Sequence, residues 1–411
     1  MFIKRQRYIT AIFGTFLILT ALSAIYGTGR ASGNLPYPMF QKGMTYVTWR
    51  QDAFASPKSD ESIASMASLG VNFVAIVPTW YQDTYNSTEM KPTERTPSDS
   101  SIRHAISKAH EQNMFVMLKP HIDLIEESGS TRSDIGFQKN EDWDVWFANY
   151  EKFIVKYAKM AEAEHVEMLC IGTELTFAVS RAEEWRNRII PKVRKVFSGR
   201  ITYAANWDDY MQVTFWDRLD YVGIDAYFPI AKGTNPTPDE LKEGWKKWAG
   251  EIEEWHASVN KPVIFTECGY ASADIAASKP WEEVSGGSAN PDLQAECYRV
   301  MLEELWDEKW FFGVYWWNWN TYEGSGGPND KGFTPQNKPA EELIKQWYAK
   351  LVERNYIYTG EDQKAAAYMQ SDDKNNIASS GKASARQLKS IGVAETGEMA
   401  TRQGRYNGTE K

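Results

Sequence analysis

The sequence predicts an α/β protein of the (β/α)8 TIM-barrel class, folded as a single domain, and three observations predict it. Between residues 35 and 355 short apolar runs alternate with amphipathic stretches, the pattern of a parallel sheet covered by helices. Eight such runs occur, at 43–49, 71–77, 114–119, 168–174, 201–205, 221–225, 263–267 and 313–317. No glycine-rich phosphate turn follows the first run, which argues against a doubly wound open sheet. Eight strand–helix units closing on themselves make a barrel.

The helical stretches are read from their period. Residues 59–69 place apolar side chains at i, i+3 and i+4, the spacing of a helix resting on a sheet, and 100–112 repeat it. The ends differ from the middle. Lys4, Arg5 and Arg7 precede an uncharged apolar run at 8–26, which reads as an export signal. That run is close to the ~20 residues that span a bilayer, so segment 1–30 is expected to be either a cleaved signal peptide or a membrane anchor. The protein is accordingly expected to be secreted or tethered at the outer face of the cell membrane. At the other end, residues 356–411 turn to Gln, Ser, Lys, Ala, Gly and Asp without period, the composition of a disordered polar tail.

Composition excludes several classes of function. Over 411 residues the formal net charge is −9 and no basic stripe offsets it, so the phosphate neutralisation on which nucleic-acid binding depends is lacking. The 17 Trp, 21 Tyr and 18 Phe exceed what core packing alone is expected to use, and flat aromatic faces suit the C–H faces of sugar rings. Cys170, Cys268 and Cys297 show no metal-ligand spacing, and the first two lie in apolar runs as buried thiols. The five histidines form no HExxH pattern, and no Gly-x-Ser-x-Gly elbow occurs. Neither a metal nor another cofactor is expected.

In a (β/α)8 barrel the active site is built at the C-terminal ends of the strands. Glu174 closes the fourth apolar run and Glu267 the seventh. Strict alternation would put Cys170, Gly172 and Glu174 on one face, and likewise Val263, Phe265 and Glu267, so both carboxylates are expected to point into the barrel mouth. Two carboxyl groups there supply what glycoside hydrolysis needs, one to protonate the leaving oxygen and one to attack or to activate water. Each could instead be a structural carboxylate paired with a cation. Other residues end strands in the same way: Trp80 and Tyr81, Lys119 and His121, Asn206 and Trp207, Asp225, Tyr227, and Trp316 with Trp317. A phenol at Tyr227 can hydrogen-bond a neighbouring carboxylate, and Asp225 can orient a neighbour. Of Trp316 and Trp317, one should face the sugar and the other pack outward.

Five segments carry a specific resemblance: Gly43-Met-Thr-Tyr46, Ile171-Gly-Thr-Glu-Leu175, Tyr221-Val-Gly-Ile-Asp-Ala-Tyr227, Phe265-Thr-Glu-Cys-Gly-Tyr270 and Tyr315-Trp-Trp-Asn-Trp319. In order and strand placement the chain resembles glycoside hydrolase family 113, β-mannanases of the clan-A retaining enzymes. The resemblance implies cleavage of β-1,4-mannan or manno-oligosaccharides by double displacement, with Glu174 as acid/base, Glu267 as nucleophile and Trp317 as the sugar-facing tryptophan. One departure stands out. Thr173 occupies the place where many clan-A enzymes carry an Asn that binds the sugar 2-hydroxyl, so that contact is expected from elsewhere, with Asn206 a candidate. The alternatives are another clan-A activity, an endo-β-glucanase or exo-β-mannosidase, or a cell-surface carbohydrate-binding barrel without turnover.

Overall fold

Eight parallel strands close on themselves because each apolar run is buried on both faces, by side chains of the barrel interior on one and by helices on the other. The computed structural model describes residues 39–126, 129–284 and 286–352; the segments expected as an N-terminal signal or anchor and as a polar tail lie outside the described residues. In chain order the strands are β1 (Gln41–Val47), β2 (Phe73–Val77), β3 (Thr79–Gln82), β4 (Met90–Lys91), β5 (Phe115–Leu118), β6 (His121–Leu124), β7 (Met168–Thr173), β8 (Arg200–Asn206), β9 (Val222–Asp225), β10 (Val263–Cys268) and β11 (Phe311–Asn320). The barrel runs β1-β11-β10-β9-β8-β7-β5-β2, so each of the eight predicted runs supplies one strand.

The remaining three strands form a small sheet, ordered β4-β3-β6, that the sequence reading did not foresee. Its cause is local. Pro78 follows β2 and Pro120 follows β5, and a residue without an N–H cannot continue a ladder. The two chains leave the barrel there and pair again in parallel, with the His121 N–H donating to the Pro78 carbonyl at 2.9 Å and Thr79 in register with His121. The result is a short ledge continuing from the second and third barrel strands, which carries His121 and Asp123.

Capping groups set the helix starts. Ser56 accepts from the Ser59 N–H before helix Pro57–Ser68, Ser98 from Ser101 before Asp99–Glu111, and Thr237 forms a reciprocal capping box with Glu240 before Pro238–Val259. Helices Asn140–Ala163, Pro291–Leu305 and Pro339–Tyr348 complete the longer part of the outer layer. Among the described residues no helix is long and apolar enough to cross a membrane.

Much of the aromatic excess is consumed between sheet and helices. Trp146, Trp185, Trp245, Trp316 and Trp319 are fully buried, and Trp146, Tyr150, Trp185, Tyr203 and Phe215 form a continuous ring-to-ring chain with centroids 4.9 to 5.6 Å apart. The expectation that core packing could not absorb so many rings is therefore corrected for most of them.

Candidate active site

Glu174 and Glu267 reach the mouth of the barrel by a different route from the simple alternation expected of them. In β7 the pairing with β8 slips between Cys170 and Thr173, and a Cβ on Gly172 would lie 2.9 Å from the Trp185 ring in the helical layer, so Gly172 faces outward. Glu174 then turns inward from a left-handed backbone with φ of 53°. In β10 the register slips between Phe265 and Glu267; Phe265 packs against Trp245 outside, while both Thr266 and Glu267 contact interior groups. Each strand carries a bulge next to its glutamate, and a bulge re-aims the side chain that follows it.

Around Glu267 the chain assembles a dense polar cluster. Lys119, which ends the third barrel strand and is fully buried, donates to Glu267 Oε1 at 2.5 Å and to both Asp225 oxygens at 2.9 and 3.2 Å. Tyr227 donates its hydroxyl to Glu267 Oε2 at 2.8 Å, and Thr266 donates to Asp225 Oδ1 at 2.7 Å. His121 Nε2 stands 3.6 Å from Glu267 Oε1, and its ring lies parallel to Trp317 at 6.3 Å. Burial would pull the Lys119 ammonium down, but the charges of Asp225 and Glu267 outweigh it and raise its pKa. Burial pushes Asp225 well above the usual carboxylate range, and the charge of Glu267 adds to the push, since one cation shared by two carboxylates does not neutralise both. Burial, with Arg132 and Lys119 nearby, holds the His121 imidazole well below its usual range and hence neutral. Burial also raises the Tyr227 phenol well above its ordinary value, so it stays a donor.

Glu174 has other company. Arg132 Nη1 donates to its Oε2 at 2.9 Å. Burial pushes the Glu174 carboxyl up, the Arg132 guanidinium opposes this, and the charge of Glu267 adds to the rise; the net direction is upward. Asn206 Nδ2 donates to Ser133 Oγ at 3.0 Å and to Thr176 Oγ1 at 3.2 Å, and Thr176 in turn donates to Asp209 at 2.6 Å. Burial pushes the Asp209 carboxyl up to about 6.

Of the residues singled out in the sequence, Lys119, His121, Asp225, Tyr227 and Trp317 gather about Glu267, with Trp317 and Trp207 packed on a small cluster of Tyr227, Ala271, Ala273 and Phe333. Three others are placed elsewhere. Trp316 stacks on Tyr298 at 3.8 Å in the helical layer, and Trp80 packs on Phe153 and Tyr157 of helix Asn140–Ala163, so both serve the packing between layers. Tyr81 is buried with the Arg95 guanidinium over its ring at 5.0 Å. The sequence reading missed Arg132, because it sits in a loop with no strand end to mark it. The Thr131-Arg-Ser-Asp134 spacing signals the turn that holds it, and both halves of that capping box are formed.

A family model for glycoside hydrolase family 113 matches residues 44–338, most of the chain. The chain belongs to glycoside hydrolase family 113. A solved family 113 β-1,4-mannanase is similar over 76% of this chain and 100% of its own, at 28% identity and a TM-score of 0.69. The family 113 β-mannanase of Alicyclobacillus acidocaldarius is similar over 76% and 98%, at 26% identity and a TM-score of 0.69. A family 5 mannosidase from Rhizomucor miehei, at 13% identity and a TM-score of 0.57, shares the fold. A search of curated protein sequences finds no match. As a family 113 member the protein is a glycoside hydrolase.

Proposed function

We propose that this glycoside hydrolase is a retaining β-mannanase that cleaves β-1,4-mannan or manno-oligosaccharides, with Glu267 as nucleophile and Glu174 as acid/base. The observation that carries the reading is the contrast between the two carboxyl groups. Glu267 accepts from Lys119 and Tyr227, so its oxygens are oriented as acceptors beside fixed donors, as an attacking carboxylate requires. Glu174 has its pKa raised by burial and by the charge of Glu267, as a proton donor requires. Glu267 attacks the anomeric carbon while Glu174 protonates the departing oxygen; Glu174 then takes a proton from the incoming water, which releases the sugar with its configuration retained. Loss of the Glu267 charge in the covalent intermediate removes one cause of the raised Glu174 pKa, which suits the change from acid to base. The similarity to family 113 β-mannanases supports the choice of substrate.

Mannose and glucose differ in the orientation of the 2-hydroxyl beside the reacting carbon, where hydrogen bonds strengthen in the transition state. The Asn206 amide nitrogen is engaged by two hydroxyls and Lys119 by Asp225 and Glu267, so His121, whose Nε2 stands 3.6 Å from Glu267 Oε1, is the group proposed to read that hydroxyl. Mannohexaose should be turned over at least about tenfold more efficiently than cellohexaose, a difference of ~1.4 kcal/mol in transition-state binding. Equal kcat/KM values, or a preference for cellohexaose, would overturn the mannanase reading while leaving the two-glutamate mechanism standing. The basic residues at 4, 5 and 7 and the apolar run at 8–26 support export of the enzyme to the cell surface or medium. Fractionation of the native host tests this: recovery in the cytosol with an intact N-terminus contradicts export, and sequencing of exported material separates a cleaved signal from an anchor.

A further inference from the structure

We propose that Arg132 is a positioning residue for the acid/base carboxylate, and that Asp123 draws on the same guanidinium so that the two acids divide one cation. The proposal rests on the assignment of Glu174 as acid/base. Its basis is the way the guanidinium is used. Nε donates to the Ile122 carbonyl at 3.1 Å, Nη1 to Glu174 Oε2 at 2.9 Å and Nη2 to Asp123 Oδ2 at 3.4 Å, so each nitrogen has a separate acceptor. The side chain is only 18% exposed, and a planar fork tied at three points fixes the direction of every acceptor it meets.

The backbone beneath it is held as firmly. Thr131 and Asp134 close a capping box around the turn Arg132–Asp134, and Ser133 accepts from Asn206 at the end of the fifth barrel strand. A loop residue is thereby anchored to β6 through Ile122 and to β8 through Asn206, on either side of Glu174. Glu174 itself has a left-handed backbone whose N–H donates to the Ala204 carbonyl of β8 at 2.8 Å, so the ladder holds its main chain but not its carboxyl group. An external partner that fixes the carboxyl is what such a residue needs.

A cation beside a general acid has an electrostatic consequence, because it favours the ionised form. Here it is opposed. Glu174 is faced by Arg132 from the turn, Lys119 after β5, Asp225 and Tyr227 from the end of β9, and Glu267 from β10, while Asp123 and His121 of β6 face the Arg132 guanidinium. With Lys119 committed to Asp225 and Glu267, Arg132 is the cation in direct contact with Glu174. Its partial engagement by Asp123 then tempers how strongly it pulls a proton off the acid. A full claim on Arg132 by Glu174 would leave the acid ionised and unable to protonate a leaving oxygen, whereas complete loss of the cation would leave it loosely held and hard to deprotonate in the second step.

The test reads the proton on Glu174 directly. The full chain, labelled at the glutamate side-chain carboxyl carbon with carbon-13, is titrated by NMR, with the Glu174 signal assigned by its loss in Glu174→Gln. Arg132→Gln should raise the Glu174 titration by about one unit or more, in the range a single close counter-charge produces. Asp123→Asn should lower it, and Arg132→Lys should hold it nearer the wild-type value. Opposite shifts from two neighbouring substitutions are not produced by a staple that merely orders the loop. An unmoved Glu174 signal in Arg132→Gln, or an upward shift in Asp123→Asn, overturns the proposal; should Arg132→Gln fail to fold, Asp123→Asn alone decides by its sign. The basic limb of kcat/KM, measured on whichever β-glycan the enzyme cleaves, should follow the same displacements. If the NMR shifts appear and that limb stays fixed, Arg132 still positions Glu174, but Glu174 is not the acid/base.

Discussion

Lys119 does in this site what a metal ion does in others: it brings acids together in a space from which water is excluded. Asp225 and Glu267 are register partners on adjacent strands, and without the ammonium between them two buried carboxylates would repel at short range. The division of labour between the two glutamates is testable at the same scale. With an activated aryl β-glycoside, Glu174→Ala should regain turnover when azide is added and give the β-glycosyl azide, because azide then intercepts a covalent α-linked intermediate on Glu267. Glu267→Ala should give the α-glycosyl azide, azide taking the place of the missing nucleophile. Product anomers in the reverse order would exchange the two roles, and circular dichroism of both variants should match the wild type. Lys119, Asp225 and Tyr227 were legible in the sequence because they end strands, where side chains of a barrel meet substrate. Arg132 was hidden, since the turn that holds it is visible in Thr131 and Asp134 but its target on Glu174, 42 residues away, is not.

Elements were easier to read than their details. Eight apolar runs became eight barrel strands because burial on both faces demands continuous apolar sequence, and that demand is written locally. The bulges in β7 and β10 are not written locally, since they arise from the slip of one strand against its neighbour. Alternation consequently gave the right direction for Glu174 and Glu267 but the wrong faces for Gly172 and Phe265. The small sheet β4-β3-β6 depends on Pro78 and Pro120 leaving the barrel at matching heights, a coincidence between two strands that periodicity within either one does not express. Glycine marks one further constraint. A Cβ on Gly269 would sit 2.7 Å from the Trp317 carbonyl oxygen, so the chain leaving Glu267 can pass the eighth barrel strand that closely only without a side chain.

For the whole molecule, the question is what remains of the aromatic excess once the core has been filled. Most of the rings are consumed between sheet and helices, but a residue of them lines one side of the mouth. Tyr227 donates to Glu267, Trp317 and Phe333 pack in the same cluster, Trp207 packs on that cluster, and Trp281 lies parallel to Trp207 at 5.7 Å with 46% of its surface exposed. Trp207 is itself braced edge-on by Trp248 and Phe228, which leaves Trp281 as the outermost ring of a series leading away from the Tyr227 and Phe333 cluster. A polysaccharide enzyme draws binding energy from sugar units remote from the scissile bond, and an exposed indole at the end of such a series suits one of them. Trp281→Ala should therefore raise KM on mannohexaose by about three- to tenfold, the equivalent of one aromatic contact of ~0.5–1.5 kcal/mol, while kcat/KM on a small aryl mannoside stays unchanged. The small substrate is the control, because it occupies only the sites at the carboxylates. An equal loss on both substrates would mean that Trp281 acts through Trp207 on the Tyr227 and Phe333 cluster, as part of the scaffold and not as a sugar contact.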